Sequence, residues 1–213
     1  MFCGEDGKTL YLRPILKQKL TQNMKKVFLI AALAVASFAV NAQDASPIKF
    51  SVGADLALPV GDFIDNDAFE VKFNDVYSWG AGLSLQGTYA VDESLGLTLN
   101  LGYLNYFGKD YEGEKAESLG VIPVLAGIEY NFTPQVFASA QLGYSFYTGK
   151  FLSDSDLKMN GFTYAPGIGF RFTPNFSALL KYQGASVKIK EDGGDESLKG
   201  NLNHIGLRLA YTF

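Results

Sequence analysis

The feature that most constrains this chain is a period-two alternation carried through segments longer than the strands of most soluble sheets. Ile48, Phe50, Val52, Ala54, Leu56 and Leu58 alternate with Lys49, Ser51, Gly53, Asp55 and Ala57. Successive side chains of a strand point to opposite faces, so this pattern puts apolar groups on one face only. The next segment sets Tyr77, Trp79, Ala81, Leu83, Leu85, Tyr89 and Val91 against Ser78, Gly80, Gly82, Ser84, Gln86 and Thr88. A third sets Leu95, Leu97, Leu99, Leu101 and Tyr103 against Gly96, Thr98, Asn100 and Gly102. The rhythm returns at 119–132, 135–148, 161–172, 176–188 and 202–213, which makes eight predicted strands. Soluble strands average about 5–6 residues, whereas a tilted strand crossing a bilayer needs about 9–11.

The connections alternate between short and long. Short turns fall at Asp92-Glu93, Thr133-Pro134 and Thr173-Pro174-Asn175, and long loops at 59–76, 108–117, 149–160 and 189–201. Tight turns at one end and long loops at the other are the asymmetry expected of outer-membrane barrels. The loops carry Asp62, Asp65, Asp67, Glu70, Asp154, Asp156, Asp192, Asp195 and Glu196. Asp65 with Asp67, or Asp154 with Asp156, would offer oxygen ligands to calcium. Neither follows EF-hand spacing, and solvated loop charge is the simpler reading.

Alternation alone also fits a soluble, lipocalin-like ligand-binding barrel, so the second face decides. A water-facing surface would be rich in Lys and Glu; here the face is mainly Gly, Ser, Thr, Asn, Gln and Ala. Small residues suit the lumen of an eight-stranded barrel, which side chains nearly fill. The apolar face then meets lipid. Tyr77, Trp79, Tyr89, Tyr103, Tyr130, Phe132, Tyr164, Phe170, Phe172, Tyr182, Tyr211 and Phe213 lie mostly toward strand ends, where interfacial aromatic girdles belong. The predicted fold is all-β: an eight-stranded antiparallel up-and-down transmembrane β-barrel, with no wide aqueous channel. By phase, Asp55, Glu129, Arg171, Lys181, His204 and Arg208 point into the lumen as a structural polar network. Asp55 is expected to face Arg208 across the closing strand pair, and Glu129 to be neutralised by Arg171 or Lys181.

The barrel domain is expected over 43–213. Before it, Met24-Lys25-Lys26, the apolar run 27–40 and the small-x-small site Val40-Asn41-Ala42 read as a cleaved signal peptide over 24–42. Residues 1–23 read as an upstream extension, with Met24 as the initiator. The single cysteine, Cys3, falls in that extension, so the barrel is expected to hold neither disulfides nor thiolate ligands. From Gln43 onward there are 12 Lys and Arg against 20 Asp and Glu, a net charge of −8. That balance argues against nucleic acid as a partner, since phosphate backbones need basic surface.

Beyond residue 42 there is no P-loop, nucleotide-binding glycine signature, HExxH or cysteine metal motif. No cofactor and no metal are expected. The only histidine, His204, is predicted near the outer end of its strand. A barrel-embedded lipid-modifying or proteolytic enzyme is therefore the competing function, but a catalytic site requires partners that this histidine lacks in the sequence.

The final strand, Gly206-Leu207-Arg208-Leu209-Ala210-Tyr211-Thr212-Phe213, ends on an aromatic after alternating apolar residues. It resembles the terminal strand recognised by the barrel assembly machinery. The stretch Ile122-Pro123-Val124-Leu125-Ala126-Gly127-Ile128-Glu129-Tyr130-Asn131-Phe132 resembles the small OmpA/OmpX-like outer-membrane barrel-domain family. The resemblance spans about Pro47 to Phe213 and is to the barrel alone. It implies a monomer in the outer membrane of a Gram-negative bacterium, surrounded by outer-membrane lipid, with Phe213 as an assembly signal. The expected function is non-enzymatic: a structural or surface-interaction role, through loops that meet an unknown extracellular ligand.

Overall fold

A computed structural model of the protein describes residues 47–66, 69–111, 114–149, 157–191 and 197–213. The expected signal peptide and upstream extension lie outside the described residues, as do Asp67, Asp154 and Asp156. In chain order the elements are β1 (Ile48–Val60), β2 (Asp62–Asn66), β3 (Phe69–Lys72), the single-turn helix α1 (Phe73–Val76), β4 (Tyr77–Ala90) and β5 (Leu95–Gly108). There follow β6 (Asp110–Tyr111), β7 (Glu114–Lys115), β8 (Leu119–Asn131), β9 (Val136–Thr148), β10 (Leu157–Arg171), β11 (Phe176–Glu191) and β12 (Ser197–Thr212). Eight of them form a closed barrel in the order β1-β12-β11-β10-β9-β8-β5-β4, every neighbour antiparallel. β2–β3 and β6–β7 are small hairpins in two of the loops.

Closure comes from β1, which pairs with β4 on one side and β12 on the other. A sheet edge in hydrocarbon would leave backbone groups unpaired at several kcal/mol each, so the ring has to close. It is sealed to its last residue: the Phe213 N–H donates to the Phe50 carbonyl at 2.9 Å.

The three short turns share one device. Asp92 Oδ1 accepts from the N–H groups of Ser94 and Leu95 at 2.7 and 2.8 Å. Thr133 Oγ1 accepts from Val136 N–H at 2.9 Å, and Thr173 Oγ1 from Phe176 N–H at 3.0 Å. A short polar side chain that bonds backbone a few residues on stands in for a backbone turn.

The long-loop ends differ from expectation. β5 runs on to Gly108, β10 begins at Leu157, β11 reaches Glu191 and β12 begins at Ser197, so much of the predicted loop is strand. A bulge between Tyr77 and Trp79 also turns Tyr77 away from the outward row, and its ring meets those of Phe73 and Tyr106 at 5.3 and 6.2 Å.

Candidate functional site

The face assignment follows from exposure. Leu99 is 61% and Leu209 49% exposed, while Ser84 and Gln141 are buried. Exposed apolar side chains therefore ring the barrel, and Ser, Thr, Asn and Gln fill its middle. This arrangement sets aside the lipocalin-like reading, whose apolar face would be enclosed. Toward the tight-turn end, the outward aromatics pair edge to face: Tyr130 with Phe132, Phe170 with Phe172 and Tyr211 with Phe213.

The lumen is stacked in layers. Nearest the tight turns, Arg171 pairs with Glu129 and its guanidinium lies 4.3 Å over the Phe137 ring. Gly169 leaves the space that this ring fills. In the middle layer Lys181 Nζ lies 3.1 Å from Asp55 Oδ1, and Ser84 Oγ donates to Asp55 Oδ2 at 2.5 Å. Arg208 donates from Nε to Ser84 Oγ at 2.8 Å and from Nη2 to Ser51 Oγ at 3.1 Å. Beside them Gln141 Nε2 donates to Gln86 Oε1 and Thr98 Oγ1, both at 3.2 Å.

All six sequence-predicted luminal residues thus face inward, but the ion pairs are distributed differently. Asp55 and Arg208 are register partners on β1 and β12. The cation bonded to Asp55 is nevertheless Lys181, from β11, and the hydrogen-bonded link from Arg208 to Asp55 runs through Ser84. Register explains the exchange. Lys181 lies opposite Gly206, where an added Cβ would stand 3.1 Å from Lys181 Cε, so the missing side chain lets the lysine cross to β1. Glu129 then has Arg171 as its ion-pair partner.

Above this layer the interior becomes apolar, contrary to the small polar lumen that the sequence predicts throughout. Leu104, Tyr106, Leu119, Val121, Tyr147, Met159, Val187 and Leu202 form a buried cluster, which Phe73 of α1 closes from above. Phe73 is 1% exposed, its N–H donates to the Gly61 carbonyl at 3.1 Å, and its ring lies 5.0 Å from that of Tyr106. His204 sits where polar and apolar layers meet. It is near the middle of β12 rather than its outer end, 4% exposed, with Nδ1 2.7 Å from the Tyr106 hydroxyl. A cavity of about 20 Å³ touches Asp55, Ser84, Asn100, Lys181 and His204, room for roughly one water.

Burial in this lumen comes with partners. Among the described residues, the single buried side-chain polar atom without one is Asn131 Oδ1, beside a turn. No group of three or more His, Cys, Asp or Glu side chains among the described residues is placed to hold a metal. Sequence reasoning missed Phe73, Tyr106 and Tyr147 as lumen-closing residues. Their signal was present as aromatic residues in the phase opposite to the lipid-facing row, and in a segment read as loop.

The outer membrane protein β-barrel domain family matches residues 30–213. The chain belongs to this family. It is an integral protein of the bacterial outer membrane, with its exposed apolar wall in lipid. Among solved structures, this chain is similar to the attachment invasion locus protein Ail of Yersinia pestis, at 15% identity and TM-score 0.47 over 78% of this chain and 97% of that one. It is similar to Neisserial surface protein A, at 14% identity and TM-score 0.46 over 80% and 100%. The N-terminal β-barrel domain of Pseudomonas aeruginosa OprF compares at 16% identity and TM-score 0.44 over 78% and 97%. No curated protein sequence matches this one at a significant level.

Proposed function

We propose that this outer-membrane barrel is a non-enzymatic, monomeric scaffold that acts at the cell surface through its four long loops. The observation that carries this reading is the filled lumen: charged and amide layers below, an apolar cluster under Phe73 above, and a cavity of about 20 Å³ between. Filled in this way by the described residues, the lumen offers solute no route, which leaves the rim as the functional surface, and loops on a rigid scaffold are where binding residues concentrate. His204 supports a structural rather than a catalytic role, since it is buried in the lumen with its Nδ1 against the Tyr106 hydroxyl. In the same reading, residues 24–42 direct export, and Phe213, joined to β1 through its backbone, serves as the mark for the barrel assembly machinery.

The test is planar-bilayer recording on the purified, folded protein. The expected result is no steady conductance at any applied voltage. A reproducible stepwise conductance would overturn the closed-scaffold reading.

A further inference from the structure

The outer wall of β10, β11 and β12 changes character along its height. Its outward positions are apolar up to Phe162, Tyr182 and Ile205, all exposed. Toward the long loops the same positions become Asn160 and Lys158 on β10, Ser186 and Lys188 on β11, and Asn203, Asn201 and Lys199 on β12. Register fixes which of these meet. Asn160 lies opposite Lys188, and Lys188 lies opposite Lys199. On the next row Lys158 is opposite Lys190.

Residues directly opposite in an antiparallel pair have Cβ atoms about 4.5–5.5 Å apart, and like charges there repel. Lys188 and Lys199 are both exposed, and among the described residues neither forms an ion pair. Exposed lysines at 158, 188 and 199 on one wall also stand out in a chain with 20 acidic against 12 basic residues beyond position 42. Their height is set by Phe162. Asn160 is the next outward position above it, a rise of about 6.6 Å along the strand and less along the membrane normal. The headgroup layer is roughly 5–7 Å deep on each side of the hydrocarbon. The Asn160–Lys188–Lys199 row therefore lies at or just above the headgroups.

We propose that this wall binds the phosphate group of an anionic lipid in the outer leaflet. Lys188 and Lys199 close on one phosphate from two strands, with Asn160 as an amide donor beside them. A phosphate between the two ammonium groups converts their mutual repulsion into two charge-assisted hydrogen bonds. Lipid is the source, because the row continues the lipid-facing wall upward rather than opening into the lumen.

The test uses the full chain folded in nanodiscs of phosphatidylcholine, with or without phosphatidic acid. Lys188→Gln should raise the thermal midpoint in the neutral discs, where repulsion is removed, and lower it in the anionic ones. Fluorescent phosphatidic acid should be enriched several-fold around the barrel over phosphatidylcholine. The enrichment should fall to parity in Lys188→Gln/Lys199→Gln and persist in Lys109→Gln. If the double variant keeps the enrichment, the site is not there. If Lys188→Gln lowers the midpoint in neutral discs as well, the chain's own acids at 191–196 hold the lysines and the proposal fails. Inorganic phosphate added to neutral discs should leave the midpoint unchanged; reproduction of the lipid shift would make this a free-anion site instead.

Discussion

Lys181 carries its charge into a lumen where the flanking side chains must leave it a path. Gly206 provides that path on β12, and Gly53 does the same for Arg208, whose Nε would stand 2.6 Å from a Cβ at position 53. Both cations are buried, and so is Asp55. Removing one partner of a buried pair leaves the other uncompensated, at a cost of about 3–5 kcal/mol. Asp55→Ala should therefore destabilise the folded barrel by that order, and adding Lys181→Ala should recover part of the loss. A double-mutant cycle read by denaturant unfolding from lipid vesicles should give more coupling for Asp55–Lys181 than for Asp55–Arg208, whose link passes through Ser84. Equal coupling in the two cycles would return Arg208 to the role of direct partner. The inward phase of all three residues was legible in the sequence. Which cation meets the carboxylate was not, because it depends on the offset between β11 and β1 across an intervening strand.

The strands are longer than a bilayer requires, and their two ends obey opposite rules. In the lower part, apolar residues face out and polar residues face in, as Leu99 and Asn100 do on β5. Beyond Tyr103 the same strand turns Leu104 and Tyr106 inward, both buried, with Asn105 on the outer side. This inversion explains why β5, β10 and β12 outrun their predicted ends: alternation followed by its lipid-facing residues fades where the wall leaves the membrane. Eight strands, the three tight turns and the lipid-facing row were legible because each rests on local pattern. The apolar upper lumen was not, since Leu104, Tyr147 and Leu202 meet only after the ring closes, and the bulge at Tyr77 breaks the phase. Charge tolerance should map the inversion. A lysine near the bilayer midplane costs about 2–4 kcal/mol and near the interface about 0–1. Leu99→Lys should thus lose several-fold more folding free energy in vesicles than Asn105→Lys, and comparable losses would place position 105 inside the hydrocarbon.

In the proposed reading the barrel as a whole is closed by separate barriers arranged along one axis. Phe73 and the buried cluster beneath it fill the loop end, while Asp55, Lys181, Arg208 and their amide neighbours occupy the section below. Ionic resistances in series add, so the larger one governs whichever other is weakened. Phe73→Ala removes a buried aromatic, at about 3–5 kcal/mol, yet leaves the polar section intact. The variant should be measurably less stable and still show no steady current in planar bilayers. Truncating Lys181 and Arg208 alone should likewise leave the barrel closed, since the apolar cluster then carries the resistance. Current should appear only when both changes are combined, provided that the unboiled protein still migrates as a folded barrel on a gel. Steady current through Phe73→Ala alone would show that the polar section already admits ions, and that the aromatic residue is the single barrier in this protein.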